Sequence, residues 1–359
     1  MRNRALLFAT LSLTICLAVG LSGSSVWRPV LAQSPSVPTQ VVPAHLLGTD
    51  DKAAFAIHFS GEMRANLDTC GCPANPSGGL HRRVTMAKAF RATYDQIPLL
   101  ELSVGAIFND QGVLLNPPFK DVVVQNDYAL RGYSAYPFDA VNLTYQDLRV
   151  LHKYFSTGEA KRAAADFPIL GTYVSANAMP AANEKTHVAL PRFIVKEVKS
   201  PRLPKNHKLR IGITGVCEPA PSEGTGYVWR DPATALKEVL PQLQKQADVV
   251  VVLAYLPLDQ ARALAAELEG VDIMIVGHTQ PSLLTLETVG NTALVVNNYE
   301  TKALGELRGY VTDDGKRTYS NRFILLDATV PSEPNALKIV RDAKAAVEEA
   351  RRSMVQAAP

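Results

Sequence analysis

From Ala53 onward, short continuous apolar runs alternate with stretches whose apolar residues recur at helical spacing. Residues 55–59 and 98–104 read as buried strands. Between them, residues 79–94 read as a helix with Leu80, Val84, Ala87 and Tyr94 on one stripe. The second half is plainer: residues 209–216 (LRIGITGV), 248–254 (DVVVVLA) and 271–276 (VDIMIV) are apolar strand candidates. Asp231-Pro232 opens the helix that carries Leu236, Val239, Leu240 and Leu243. Aspartate there accepts from free helix N–H groups, and proline has no N–H to lose. Ala261, Leu264, Ala265 and Leu268 mark the next helix. Two consecutive β-α-β crossovers imply a sheet with parallel segments, covered on both faces. Residues 293–297, 304–312 and 322–326 follow without helices and predict an antiparallel run that closes the domain, before a charged helix over 335–354. Residues 110–136 show no clear period and are expected to hold a loop and a short helix above the sheet.

Ahead of this pattern, Arg2 and Arg4 precede an almost continuous apolar stretch over 5–21, and Val30-Leu31-Ala32 places small residues before Gln33. That is the layout of a secretory signal peptide over residues 1–32. The competing reading is an uncleaved membrane anchor, since about 18 apolar residues can span a bilayer. Either way the folded part is expected outside the cytoplasm, periplasmic or extracellular, and at a membrane only if that segment stays uncleaved. Residues 33–52 begin with a run rich in Pro, Ser, Val and Thr and read as a linker. Residues 53–330 read as one domain and 331–359 as a C-terminal helix and tail.

The chain has 37 basic and 34 acidic side chains. Arg2, Arg4 and Arg28 lie in the leader and no acid does, so residues 33–359 balance at 34 of each. A balanced chain without a Lys/Arg run offers no electrostatic footprint for nucleic acid. Of four cysteines, Cys16 falls in the leader, leaving Cys70, Cys72 and Cys217. An odd count in an exported protein rules out a pure disulfide framework and leaves at least one thiol free or ligating.

Ligands of open α/β sheets bind beyond the carboxyl ends of the strands. The residues there are Ser60-Gly61-Glu62-Met63-Arg64, Gly105-Ala106-Ile107-Phe108, Asn142-Leu143-Thr144-Tyr145-Gln146-Asp147, Cys217-Glu218-Pro219, Tyr255-Leu256-Pro257 and Gly277-His278-Thr279-Gln280-Pro281. In order and spacing, over about residues 53–328, they resemble the catalytic domain of the 5′-nucleotidase and UDP-sugar hydrolase branch of the calcineurin-like metallophosphoesterases. VDIMIVGHTQP matches that branch's last metal loop, LELSVGAIF its "L-D-A-G-D-x-F" strand end, and DAVNLTYQDL its "D-A-x-x-x-G-N-H-E" segment. FPILGTYVSANA and LAYLPL resemble its "S-A-N" and "L-S-H-L-G" strands. The resemblance implies an α/β fold, an α/β/β/α sandwich of mixed sheets flanked by helices.

It also implies where two metal ions would sit, and there the chain departs. The opening "D-x-H" reads Gly61-Glu62-Met63, the bridging aspartate reads Ala106, the "N-H" pair reads Tyr145-Gln146, and the histidine after the buried strand reads Tyr255. Only His278 and Gln280 persist at ligand positions. Without the bridging carboxylate, two cations would face each other with too little negative charge between them, which disfavours a Mn/Mg two-metal centre. Glu62 and Asp147 are the only carboxylates at strand ends of the first half, weak candidates for acid/base catalysis.

The same corner holds Cys70-Gly71-Cys72, then Gly78-Gly79 and Arg82-Arg83, a "C-G-C … G-G-L-x-R-R" stretch similar to one in divergent exported members of the branch. Gly78 and Gly79 lead into a helix N-terminus, and with Arg82 and Arg83 they make a candidate seat for a small anion. If the chain merely turns there, both arginines face solvent. Cys217 ends a different parallel strand, so Cys70, Cys72, Cys217 and His278 are a candidate soft site for one zinc or iron. The alternatives are a disulfide between Cys70 and Cys72, a bridge from one of them to Cys217, or a redox pair serving an exported partner. The expected function is therefore an exported phosphoesterase-like domain with a degenerate two-metal centre that binds a small anion or a soft metal. A rearranged or mono-metal phosphoesterase and a redox or accessory module are the alternatives.

Overall fold

The computed structural model describes residues 41–357 apart from 51, 73, 183–184, 204–207, 222, 279–284 and 298–301. The expected leader over 1–32 and the position of Gln280 lie outside the described residues. A short turn, α1 (Ala44–Leu47), precedes β1 (Phe55–Ser60), α2 (Leu80–Thr93), β2 (Leu99–Ser103), α3 (Lys120–Ala135), β3 (Ala140–Asn142) and α4 (Tyr145–Leu151). Then come α5 (Ala160–Asp166), β4 (Tyr173–Val174), β5 (Ala178–Pro180), β6 (Phe193–Lys199), β7 (Lys208–Cys217), β8 (Tyr227–Trp229) and α6 (Pro232–Gln244). The chain continues through β9 (Val249–Tyr255), α7 (Leu258–Glu267), β10 (Ile273–Gly277), β11 (Glu287–Val289), β12 (Thr292–Val296), β13 (Ala303–Val311), β14 (Arg317–Leu325) and α8 (Pro334–Ala357).

Among the described residues the strands form two six-stranded sheets, in the orders β14-β13-β1-β2-β3-β4 and β11-β12-β10-β9-β7-β6, with β5 and β8 as a separate pair. In the first sheet β1, β2, β3 and β4 run parallel and the β13–β14 hairpin adds antiparallel to β1. In the second, β7, β9, β10 and β12 run parallel, with β6 and β11 antiparallel on the edges. Ile57, Phe59 and Leu102 of the first sheet share one core with Ile211, Ile213, Val251, Leu253 and Ile275 of the second. Leu236, Val239 and Leu264 cover the outer face of the second sheet, and Leu80, Val84, Leu130 and Leu148 that of the first. Burial on both faces is why these strands read as unbroken apolar runs.

Four expectations are corrected. The closing strands do not form one antiparallel run: β12 pairs parallel with β10 in the second sheet, while β13 and β14 cross to the first. Residues 120–135 form a full helix whose buried Val122, Ala129, Leu130 and Tyr133 pack under α8. Part of the expected linker is docked: Leu47 is buried, and Arg308 donates to the Leu47 and Asp50 carbonyls. The expected C-terminal helix forms, but it belongs to the domain placed at 53–330 rather than outside it, because Ala336, Val340 and Ala343 join the core under the first sheet. Among the described residues no helix is long and apolar enough to cross a membrane.

Candidate functional site at the strand ends

The parallel strands of both sheets end at one mouth, and Asn142 ties the sheets together beneath it. Its buried side-chain amide donates to the Val104 carbonyl of one sheet (3.3 Å) and the Val216 carbonyl of the other (2.8 Å). Above it the β1 loop zips onto the β2 loop, with Glu62, Arg64 and Ala65 N–H groups donating to Gly105, Ala106 and Ile107 carbonyls. This close approach forces unusual backbone. Gly105 has φ +95°, and a Cβ there would lie 2.4 Å from Thr144 Cγ2. Among the described non-glycine residues, Glu62, Arg64, Ala65, Ala106 and His278 adopt positive φ, each of them in a strand-end loop. Left-handed backbone is costly for residues with a Cβ and persists only where surrounding structure over-determines it.

The side chains in the mouth make an aromatic and polar cluster. Tyr255 is fully buried, and its hydroxyl accepts from Gln146 Nε2 at 2.9 Å. Its ring stacks on the His278 imidazole, with centroids 4.7 Å apart at 22°, and meets Tyr145 edge-on. Ala106 and Cys217 pack against the same Tyr255, with Trp229 beside them. Burial pushes the Cys217 thiol far up, so it is an inert, small apolar group. On the open side, His278 Nε2 meets Glu218 Oε1 at 2.7 Å. Arg149 pairs with Asp110 at 2.7 Å and lies over the Tyr145 ring.

The two candidate carboxylates have different fates. Glu62 lies in the mouth, 3% exposed, facing the backbone N–H of His278 and the side chain of Asn297. Burial raises its carboxyl above the ordinary range, against the opposing pull of Arg64 and His278, and Oε2 has no hydrogen-bond partner. Asp147 is fully enclosed behind the mouth. It accepts the Phe108 N–H at 2.9 Å and faces Tyr173, so it buttresses the β2 loop and does not reach a ligand. Burial, ahead of the opposing hydrogen bonds, raises it to about 7.

The expected anion seat and the soft-metal set both change. Gly78 and Gly79 do turn the chain at positive φ into α2, but Arg82 and Arg83 neither meet an open seat nor face solvent. Arg82 donates to the Pro76 and Leu326 carbonyls at 2.7 and 2.8 Å. Arg83 binds Glu101 at 2.6 Å and the Tyr136 carbonyl at 2.8 Å, with Phe138 beneath its guanidinium. Both are buried, and the terminal guanidinium nitrogens named above meet fixed acceptors in the protein, while the Nε of each has none. The three cysteines among the described residues carry free thiols: Cys72 exposed, Cys70 half-buried and Cys217 buried. Among the described residues no three His, Cys, Asp or Glu side chains converge as a metal site, so Cys70, Cys72, Cys217 and His278 do not assemble a ligand cage. Cys217 is sealed under Tyr255 and Ala106, whereas Cys70 is turned into its own loop, where Ser77 N–H donates to its sulfur at 3.3 Å.

Sequence reasoning passed over Asn297 and gave Glu218 no role, although both stand at strand ends, the signal that singled out His278. It also missed Glu306, which gathers His58, Arg308 and Arg322 on β13. The only trace of that cluster is a charged pair within an otherwise apolar strand.

No family model and no curated protein matches the sequence. The folded chain is similar to sulfate thiohydrolase SoxB of Thermus thermophilus in complex with glycerol, at 14% identity and TM-score 0.62, over 82% of this chain and 60% of that one. It is also similar to a 5′-nucleotidase precursor of Thermus thermophilus (18%, TM-score 0.58, 82% and 59%). A third similar structure is the NAD nucleotidase NadN of Haemophilus influenzae (11%, TM-score 0.56, 84% and 60%). The chain thus spans about three fifths of the length of these structures. Its fold is the calcineurin-like metallophosphoesterase fold, in the form found in 5′-nucleotidases.

Proposed function

We infer that this chain is an exported phosphoesterase-like domain that binds a small anionic ligand at the mouth and does not hydrolyse esters by the two-metal route. The single observation that carries this is how the mouth is filled. At the positions where the fold family places a bridging carboxylate and two imidazoles, Ala106, Gln146 and Tyr255 pack and hydrogen-bond to one another or to their neighbours. A methyl group, an amide and a buried phenol offer no negative charge to hold two divalent ions a few ångströms apart. The loops nevertheless keep their costly positive-φ turns at Glu62, Ala106 and His278, as expected of a site kept for recognition. Arg64, exposed at the rim, and the His278 imidazole supply the groups that meet an anion.

The unpartnered Glu62 Oε2 favours a second reading, one divalent ion held between Glu62 and His278. Metal analysis after manganese loading, with hydrolysis of bis-p-nitrophenyl phosphate and nucleotides, separates the cases. No stoichiometric ion, no turnover, and a phosphate- or AMP-dependent thermal shift lost in His278→Ala support the first. One ion per chain, with turnover lost in both Glu62→Gln and His278→Ala, supports the second.

A further inference from the structure

The Cys-Gly-Cys motif is not absorbed by the mouth, and its surroundings give it a separate chemistry. The loop that carries it is closed at its base by the antiparallel bridge Thr69–Gly78 and by Cys70 N–H donating to the Ser77 carbonyl at 2.8 Å. The body of the domain grips the far side. Gly78 N–H donates to the Leu326 carbonyl at 2.8 Å, and Arg82 links the Pro76 and Leu326 carbonyls. Within this frame both sulfurs are met by backbone N–H groups. Ser77 donates to Cys70, and the N–H groups of Asn75 and Ala74 face Cys72, with Lys302 adding positive charge nearby. Arg82 lies within electrostatic reach of Cys70. Donors aimed at sulfur favour thiolate over thiol, and the Cys72 thiol is accordingly lowered below its ordinary range, first by Asn75 and then by Ala74. Cys72 is exposed and Cys70 half-buried, which separates an entering sulfur from a resolving one. Gly71 between them has open space where a side chain would be. A glycine there can bend the chain until the two Cα atoms approach the roughly 4.4–6.8 Å that a disulfide needs.

We propose that Cys70 and Cys72 are a thiol–disulfide exchange pair that reduces a disulfide on another exported protein, with Cys72 as the attacking sulfur. The Cys72 thiolate attacks one sulfur of the partner's disulfide; that S–S bond breaks, a mixed disulfide to Cys72 forms, and the partner's other sulfur leaves as a thiolate and takes up a proton. The Cys70 thiolate then attacks Cys72 Sγ. The mixed disulfide breaks, the Cys70–Cys72 bond forms, and the partner's second sulfur leaves and is protonated. Two electrons pass from the pair to the partner, whose disulfide becomes two thiols, and the two protons come from the cysteine thiols. The pair acts independently of what the mouth binds.

The test uses the full exported chain with oxidised glutathione as the disulfide, followed by thiol-resolved mass spectrometry. The wild type is expected to lose two of its three thiols to an internal Cys70–Cys72 disulfide, reversibly, while Cys217 stays unmodified. Cys70→Ser is expected to trap a single glutathione adduct on Cys72. Cys72→Ser is expected to form an adduct on Cys70 at least about tenfold more slowly. Because Cys217 reacts only if the chain opens, its labelling flags a misfolded variant, and the wild-type time course then decides alone. Stable glutathione adducts on both Cys70 and Cys72 of the wild type would overturn the proposal, as would equal trapping rates in the two variants.

Discussion

Asp147 and Glu306 are both carboxylates removed from water, yet their surroundings move them in opposite directions. For Asp147 burial dominates and the protonated form is favoured, up to about 7. Between the ordinary carboxylate range and pH 7 the folded chain therefore holds a proton that the unfolded chain has lost, and stability falls as pH rises through that window. Asp147→Asn keeps an acceptor for the Phe108 N–H and abolishes the ionisation. Its melting temperature should match wild type near pH 4 and exceed it at pH 8, a gain of roughly 2–4 kcal/mol. A variant that loses stability equally at both pH values contradicts this. For Glu306, burial alone would raise the carboxyl, but hydrogen bonds from His58 and Arg322 and their charges pull it down to about 2. Its stabilisation is present above the ordinary carboxylate range and is lost as pH falls toward 2. Glu306→Gln leaves Arg308, 4% exposed, without its carboxylate, and should cost roughly 3–5 kcal/mol in chemical denaturation at pH 7.

The elements differ in how far the sequence announced them. β9 and β10 were legible because both faces are buried and nearly every position is apolar or small, and β7 because the same holds from Ile211 to Cys217. β6 was not, because FIVKEVK lies on an edge with most side chains half-exposed, so neither an apolar run nor a clean alternation survives. The helix over 120–135 was hidden because its buried face includes Asn126 and Gly132. At the strand ends the positions were readable and the side-chain commitments were not. That Arg83 meets Glu101, 18 residues on, and Arg82 meets the Leu326 carbonyl, 244 residues away, depends on pairings set by the fold. The C-terminal helix supplies a test at this scale. Val340→Asp places a charge in the core and should lower stability by several kcal/mol. Lys338→Ala, on the exposed side, should stay within about 0.5 kcal/mol of wild type by thermal melting.

For the molecule as a whole, two sheets joined through Asn142 hold their strand-end loops in the strained shape of a catalytic fold, while the side chains on those loops have closed around Tyr255. The scaffold fixes where a ligand can sit, and the filling decides what chemistry remains. On the proposed function, recognition outlasts hydrolysis in this fold. The most direct measurement is the metal content of the purified chain after manganese loading, read alongside its turnover of bis-p-nitrophenyl phosphate. The account predicts no stoichiometrically bound ion and no hydrolysis above the uncatalysed rate. Two tightly held ions with sustained turnover would contradict it.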